Sequence, residues 1–230
     1  MIDSYKAIFF DAGGTLLHPF PSVGEIYRDV AAAHGCIVSA DETERAFREA
    51  WLKRDGLSHL AAHNSEKIER QWWRDLVFEV FSEFGGFKDF DAFFTELYDV
   101  FAQPQCWRLY PGTIEVLTAI KKKKKILGII SNWDSRLMGL CEGFGLHLHF
   151  DFILASAVFG ASKPSPKIFE EALRRAGVEP HEAVHIGDSF EDDIKGARGA
   201  GINAILIERH PGRRRIAGVR TLHSLQELLS

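Results

Sequence analysis

The sequence predicts an α/β protein: a parallel sheet core with helices on both faces and a helical segment inserted after the first strand. Three observations predict it. Short, wholly apolar runs recur along the chain and, in its second half, alternate with segments patterned as helices. From residue 18 to about 108 that alternation stops and helix-patterned text takes over. Polar residues gather just after the apolar runs, at the strand ends where an open parallel sheet binds its ligands.

The strands come first. "AIFF" (7–10), "ILGII" (126–130), "AVHI" (183–186) and "AILI" (203–206) stand out, with a weaker fifth, "FILA" (152–155). Each is too short for a helix and lacks the alternation of a half-wet strand, so each suits a strand buried on both faces. The helices between them follow. "GTIEVLTAIKKKK" sets Ile114, Leu117 and Ile120 on one face, and "SPKIFEEALRRAG" does so with Ile168, Phe169, Ala172 and Leu173. The latter opens with Pro166 after Ser165 and stops at Gly177. "FEDDIKGARGAG" and the terminal "SLQELLS" read as shorter helices.

The inserted segment contains "SVGEIYRDVAAAHG", "DETERAFREAWLKR", "EKIERQWWRDLVFEVFSEFG" and "DFDAFFTELYDVF". Asp41 with Glu44 reads as a capping box. Trp72, Trp73, Leu76, Val77, Val80, Phe81 and Phe84 form a wide apolar stripe, read as the core of a helical bundle and not as an aromatic ligand box. The segment leaves the sheet after its first strand and returns near "RLYPG".

Composition narrows the function classes. At 46% hydrophobic and 26% charged, the chain reads as globular and not disordered. A formal net charge of −4 gives no electrostatic reason to expect nucleic acid or an anionic membrane as partner. No signal peptide and no apolar stretch near the roughly 20 residues of a membrane span are visible. Cys36, Cys106 and Cys141 are scattered and lack metal-like spacing, so they read as reduced thiols packing a cytoplasmic protein. Lys121 to Lys125 close a helix, where their charge complements its dipole, and are otherwise solvated surface. Arg213 to Arg215 read as a solvated loop. The sequence leaves monomer and homodimer equally open.

The functional signal lies at the strand ends. The first strand delivers Asp11, followed by Gly13, Gly14 and Thr15; the next delivers Ser131 and Asn132. Lys163 precedes a helix start, and the fourth strand leads into Gly187, Asp188, Asp192 and Asp193. Together these supply a nucleophile, hydroxyl and amide donors, a cation and a second acidic cluster. Asp11 beside Asp188 would be a like-charge pair that favours a divalent cation. Hard oxygen ligands, with no Cys/His cluster, point to Mg²⁺ over zinc.

Four ordered pieces, "FFDAGGTLL", "GIISN", "SKPSPKIF" and "HIGDSFEDDIKGARGAG", resemble the haloacid dehalogenase superfamily of hydrolases over nearly the whole chain. The wording from "ISNWDSRL" to "KPSPKIFEEAL" is most similar to its subgroup of haloacid dehalogenase-like hydrolase domain proteins. The resemblance implies a Rossmann-like core of residues 1–17 and 109–230 and an α-helical cap of residues 18–108. It implies that Asp11 attacks phosphorus to form an aspartyl-phosphate on a small phosphorylated substrate. Asp11, the backbone carbonyl of Gly13 and Asp188 match the Mg²⁺ ligands. Ser131 matches the hydroxyl on the phosphoryl oxygens, with Asn132 beside it, and Lys163 matches the cation that offsets their charge. Asp193 matches the acid that braces metal and lysine, while Gly14, Thr15 and Gly187 complete the motifs around them.

Gly13 departs from that pattern. Phosphatases of the family carry a general acid and base there, whose loss costs typically 10²–10⁴ in rate, roughly 3–5 kcal/mol at the barrier. The backbone carbonyl still serves a metal, so a specialised phosphatase is the preferred reading, with water or His18, His59 or His63 as substitute and with Gly13→Asp expected to raise turnover. Dehalogenases of the family also lack the acid, but they lose the metal-binding "GD" that Gly187-Asp188 retains. A phosphonatase-like reading would need a lysine of the inserted segment, such as Lys53 or Lys67, both read as solvated. A non-catalytic binding protein stays open.

Overall fold

The computed structural model describes residues 2–54, 56–57, 65–209 and 216–230. Strand β1 (Ala7–Phe10) is followed by β2 (Leu17–Pro19) and then by helices α1 (Val23–Ala33), α2 (Ala40–Lys53), α3 (Glu66–Phe81) and α4 (Phe90–Val100). The chain returns through β3 (Trp107–Leu109) into α5 (Thr113–Lys122), β4 (Ile126–Ser131), α6 (Leu137–Gly143), β5 (Phe152–Ala155), the short α7 (Ser156–Phe159) and α8 (Pro166–Ala176). It closes with β6 (Ala183–Gly187), a π-helical turn (Phe190–Lys195) running into α9 (Gly196–Gly199), β7 (Asn203–Ile207), β8 (Arg220–Leu222) and a terminal 3₁₀ helix (Leu225–Leu229).

The main sheet has six strands in the order β5-β4-β1-β6-β7-β8, every pair parallel. The apolar runs are explained by its two covered faces. Along β1, Ile8 and Phe10 join one apolar cluster, with α5, α6 and the terminal helix, while Ala7 and Phe9 join the other, with α8 and α9. β6 and β7 divide in the same way, so a polar side chain within them is buried, as His185 is, except at the open start of β7, where Asn203 is exposed. The fold is therefore the α/β, Rossmann-like arrangement read from the sequence, with β8 added at one edge. β8 carries Arg220 and Thr221 and lacks the apolar run that marks the inner strands.

The helices from Val23 to Val100 pack on a third cluster centred on Tyr27, Leu76, Phe81, Phe93 and Leu97. β2 and β3 pair antiparallel, His18 opposite Arg108, and form the narrow neck through which the chain leaves and re-enters the sheet layer. At three residues each, these strands are too short to show a pattern. Two expectations change here. The capping box of α2 is Ser39 with Glu42, not Asp41 with Glu44, because the helix begins two residues earlier; Glu44 instead accepts from the Gly24 N–H at 2.7 Å. The α3 stripe also divides its labour: Leu76, Val80 and Phe81 fill the cluster, whereas Trp73 and Val77 face a cavity.

The lysine run is more engaged than free surface. Lys121 pairs with Asp151 and Lys123 with Asp3, each at 2.7 Å, and Lys125 donates to the carbonyls of Asp3 and Tyr5. Arg213 to Arg215 lie outside the described residues. Cys36 and Cys141 are buried and Cys106 half-buried, all three free. Among the described residues no helix is long and apolar enough to cross a membrane.

Candidate active site

Every strand end named from the sequence arrives at one edge of the sheet because β1, β4 and β6 are parallel neighbours, and their carboxyl ends lie side by side. Asp11 follows β1, its N–H tied to the Ile186 carbonyl at 2.9 Å. Ser131 ends β4 and donates its hydroxyl to Asp11 Oδ1 at 2.9 Å. Lys163, 2% exposed, reaches the same oxygen at 2.6 Å and Asp193 Oδ1 at 2.6 Å. Both donors to Asp11 use Oδ1, so Oδ2 faces the cavity with no protein donor among the described residues.

Asn132 does not act at that oxygen. Its side-chain amide donates to the Lys163 carbonyl at 2.9 Å and accepts from the Lys163 N–H at 2.8 Å, clamping the backbone that carries the lysine. Asp193 is held from both sides: Oδ1 takes Lys163 and lies 2.8 Å from His185 Nε2, and Oδ2 accepts from the Ser189 N–H at 2.9 Å. Burial works against its charge, but Lys163 and His185 outweigh it and hold its pKa well below the usual carboxylate range. Burial likewise opposes the Lys163 ammonium, and Asp11 and Asp193 more than restore it, so its pKa lies above the ordinary lysine value.

Carboxylate oxygens of Asp11, Asp188 and Asp193 all fall within 4.8 Å of one another. Asp188 keeps its oxygens open to the cavity although protein surrounds it. Burial, then the charges of Asp11 and Asp193, push its pKa up to about 7, and burial raises that of Asp11 too. Gly14 makes this approach feasible: its φ is +75°, and a Cβ there would collide with the Asp188 carboxylate. A Cβ on Gly187 would likewise strike Asp193. Thr15 is buried, its hydroxyl without a hydrogen-bond partner, and stands outside the cavity wall.

Two residues escaped the sequence reading. His185 lay inside an apolar run and was counted as strand filling. Arg209 donates to the carbonyls of Gly14 and Thr15 and stacks 3.6 Å over Tyr110, pinning the loop after Asp11. It follows β7, and reading that strand end as the others were read would have found it.

The helical segment sits on the loop after β4. Trp73 Nε1–H donates to Asp134 Oδ2 at 2.7 Å, Ser135 Oγ donates to Glu69 at 2.6 Å, and Arg136 grips Asp134 while donating to the Tyr98 carbonyl. Asp134 and Glu69 are buried, so these bonds are shielded from water. Between the two layers lies a cavity of about 380 Å³ whose floor is Asp11, Ser131, Asn132, Lys163, Asp188 and Asp193. Gly13 also lines it. His18 holds the Pro19 carbonyl and packs on Tyr110; Lys53 pairs with Glu79, Lys67 is exposed, and none of the three lines the cavity. His59 and His63 lie outside the described residues.

A family model described as a haloacid dehalogenase-like hydrolase matches residues 5–201. The chain is 38% identical over 212 residues to haloacid dehalogenase-like hydrolase domain-containing protein 3 of Bos taurus, covering 88% of this chain and 81% of that one. Among solved structures it resembles a HAD phosphatase from Thermococcus onnurineus, with 28% identity, a TM-score of 0.69 and coverage of 97% of this chain and 95% of the other. It also resembles a 2-haloacid dehalogenase from Pseudomonas syringae pv. Tomato DC3000, with 26% identity, a TM-score of 0.67 and coverage of 98% and 96%. With matching motifs, sheet and strand-end cluster, the chain belongs to the haloacid dehalogenase-like hydrolase family.

Proposed function

We propose that this protein is a Mg²⁺-dependent phosphatase that hydrolyses a small phosphomonoester through an aspartyl-phosphate on Asp11, with the helical segment as its cap. The observation that carries this reading is the imbalance of charge at the cavity floor. Oxygens of three carboxylates, Asp11, Asp188 and Asp193, lie within 4.8 Å of one another, and the Lys163 ammonium pairs with two of them, Asp11 and Asp193. Such a cluster is satisfied by a divalent cation with hard oxygen ligands. Asp193 already serves Lys163, His185 and the Ser189 N–H, so the Asp11 carboxylate, the Gly13 carbonyl and Asp188 are the residues that would hold Mg²⁺. Bound there, the ion would supply the positive charge that lets a carboxylate approach a phosphate dianion.

The chain's own groups do the rest. Oδ2 of Asp11 attacks phosphorus while Ser131 holds Oδ1 in place and the Lys163 ammonium offsets the negative charge of the nucleophile and the phosphoryl group. The cap excludes water from the floor. Turnover of 4-nitrophenyl phosphate with Mg²⁺ tests this: Asp11→Asn and chelation should each lower it by roughly 10³-fold or more. Equal inertness of wild type and variant would contradict it.

A carbon–halogen hydrolase is the second reading, favoured by the absent acid at Gly13 and by the likeness to a 2-haloacid dehalogenase. Asp188 weighs against it, because a carbon–halogen displacement by Asp11 has no use for a carboxylate aimed at the attacking group. Chloride release from 2-chloropropionate without metal would support it over the phosphatase.

A further inference from the structure

The cavity above the cluster differs in character from its floor. Among the described residues, those from 20 to 101 contribute apolar and aromatic side chains to its wall, among them Tyr27, Phe47, Trp51 and Trp73, and none of these carries a charge. Trp107 and Trp133 complete it from the neck and the β4 loop, so four of the chain's five tryptophans line one cavity. Arg136, which also lines the cavity, pairs with Asp134 at 2.6 Å, and its guanidinium carbon lies 4.0 Å from the centre of the Tyr98 ring.

We propose that this cavity seats an aromatic leaving group, so that the substrate class is an aryl phosphomonoester; this rests on the phosphatase reading above. Two independent features meet in it. The first is the wall. A polyhydroxylated leaving group would bury hydroxyls against aromatic faces that offer few partners, and among the described residues of this wall a second carboxylate or phosphate would meet only Arg136, already paired with Asp134. A flat ring instead gains edge and face contacts with the surrounding aromatics. About 380 Å³ lies within the range of small-molecule sites and admits one or two fused rings. The second is Gly13. With no acid at that position, the departing oxygen leaves unprotonated. A phenol, like tyrosine, ionises near pH ~10, whereas an aliphatic alcohol resembles water at about 16. An aryl oxide leaves unaided; an alkoxide does not.

The steps balance. Asp11 Oδ2 forms a bond to phosphorus as the phosphorus–aryl oxygen bond breaks, and the aryl oxide keeps that electron pair and takes a proton from solvent. Water then adds to phosphorus, the Asp11 carboxylate leaves with its electron pair, and the water's protons pass to inorganic phosphate and solvent.

Calorimetric titration of the full chain with 2-naphthol is expected to give saturable binding with a negative heat-capacity change, and glycerol none at the same concentrations. In Trp51→Ala, the ratio of kcat/KM for 2-naphthyl phosphate to that for acetyl phosphate should fall roughly 10-fold, through KM. Phe47→Leu is the milder second variant, and the calorimetry needs neither. Hydrolysis of glycerol 3-phosphate as efficient as that of 2-naphthyl phosphate, or no binding of 2-naphthol, would overturn the proposal while leaving the phosphatase standing. Saturable 2-naphthol binding with no hydrolysis of any phosphate would instead defeat the phosphatase and leave the aromatic seat supported.

Discussion

The indole of Trp133 stands where a side chain on residue 13 would go: a Cβ built on Gly13 lies 3.0 Å from Trp133 Cζ3. Trp133 packs in turn on Trp107, ring centres 5.0 Å apart, so it has little freedom to withdraw. The sequence expectation that Gly13→Asp raises turnover is revised accordingly. Alone, the substitution should give no gain toward an alkyl phosphomonoester. Combined with Trp133→Ala it should gain at least roughly 10-fold, the lower part of what an acid–base group supplies. Steady-state kinetics of the wild type and these two variants decides it, and an equal gain in the single variant would show that Trp133 is no obstacle.

Lys163 holds two carboxylates in a buried site, and Lys163→Met should leave both uncompensated. Breaking a buried pair by removing one partner costs about 3–5 kcal/mol. Thermal unfolding should show that loss alongside loss of phosphatase activity, whereas an unshifted Tm would mean the pairs carry little stability.

Asp188 offers the opposite behaviour. Its folded pKa, about 7, is raised above the unfolded value of 3.8, so the folded protein binds the extra proton and its stability falls as pH rises between those values. Asp188→Asn should therefore stabilise the metal-free protein above pH 7. Allowing for the water around its oxygens, the gain is ~1 kcal/mol, roughly 2–4 °C in Tm. Mg²⁺ should raise the Tm of the wild type, and the same variant should lose that rise. A destabilised metal-free variant would contradict the like-charge account.

The missing acid and base at Gly13 bear unequally on the two half-reactions. On the proposed phosphatase mechanism an aryl oxide would depart without help, but hydrolysis of the aspartyl-phosphate would lack a base to activate water. Rapid-quench measurements should show a burst of phenol near one equivalent per enzyme, followed by a slower phase. A linear time course from the first turnover would place the slow step before departure.

Much of this was legible in the sequence for a definite reason. Strands covered on both faces must be apolar throughout, so β1, β4, β5, β6 and β7 announce themselves, and the residues that end them, Asp11, Ser131 and Asp188, are carried to one edge by parallel order alone. What stayed hidden had no pattern to show. β2 and β3 are three residues long, β8 is polar, and His185 is masked by apolar neighbours. The cavity wall could not be read because the α3 spacing that buries Leu76 is the spacing that turns Trp73 toward the floor. Asn132 was placed beside the chemistry from its position in the chain, whereas its bonds go to the Lys163 backbone.

Covalent capture at Asp11 is the most direct measurement. Wild-type protein quenched with borohydride during the burst, with Mg²⁺ and an aryl phosphate present, should yield a peptide in which Asp11 has become homoserine, the reduction product of an acyl phosphate. Unmodified Asp11 in every peptide, recovered while phenol is being released, would contradict the central claim.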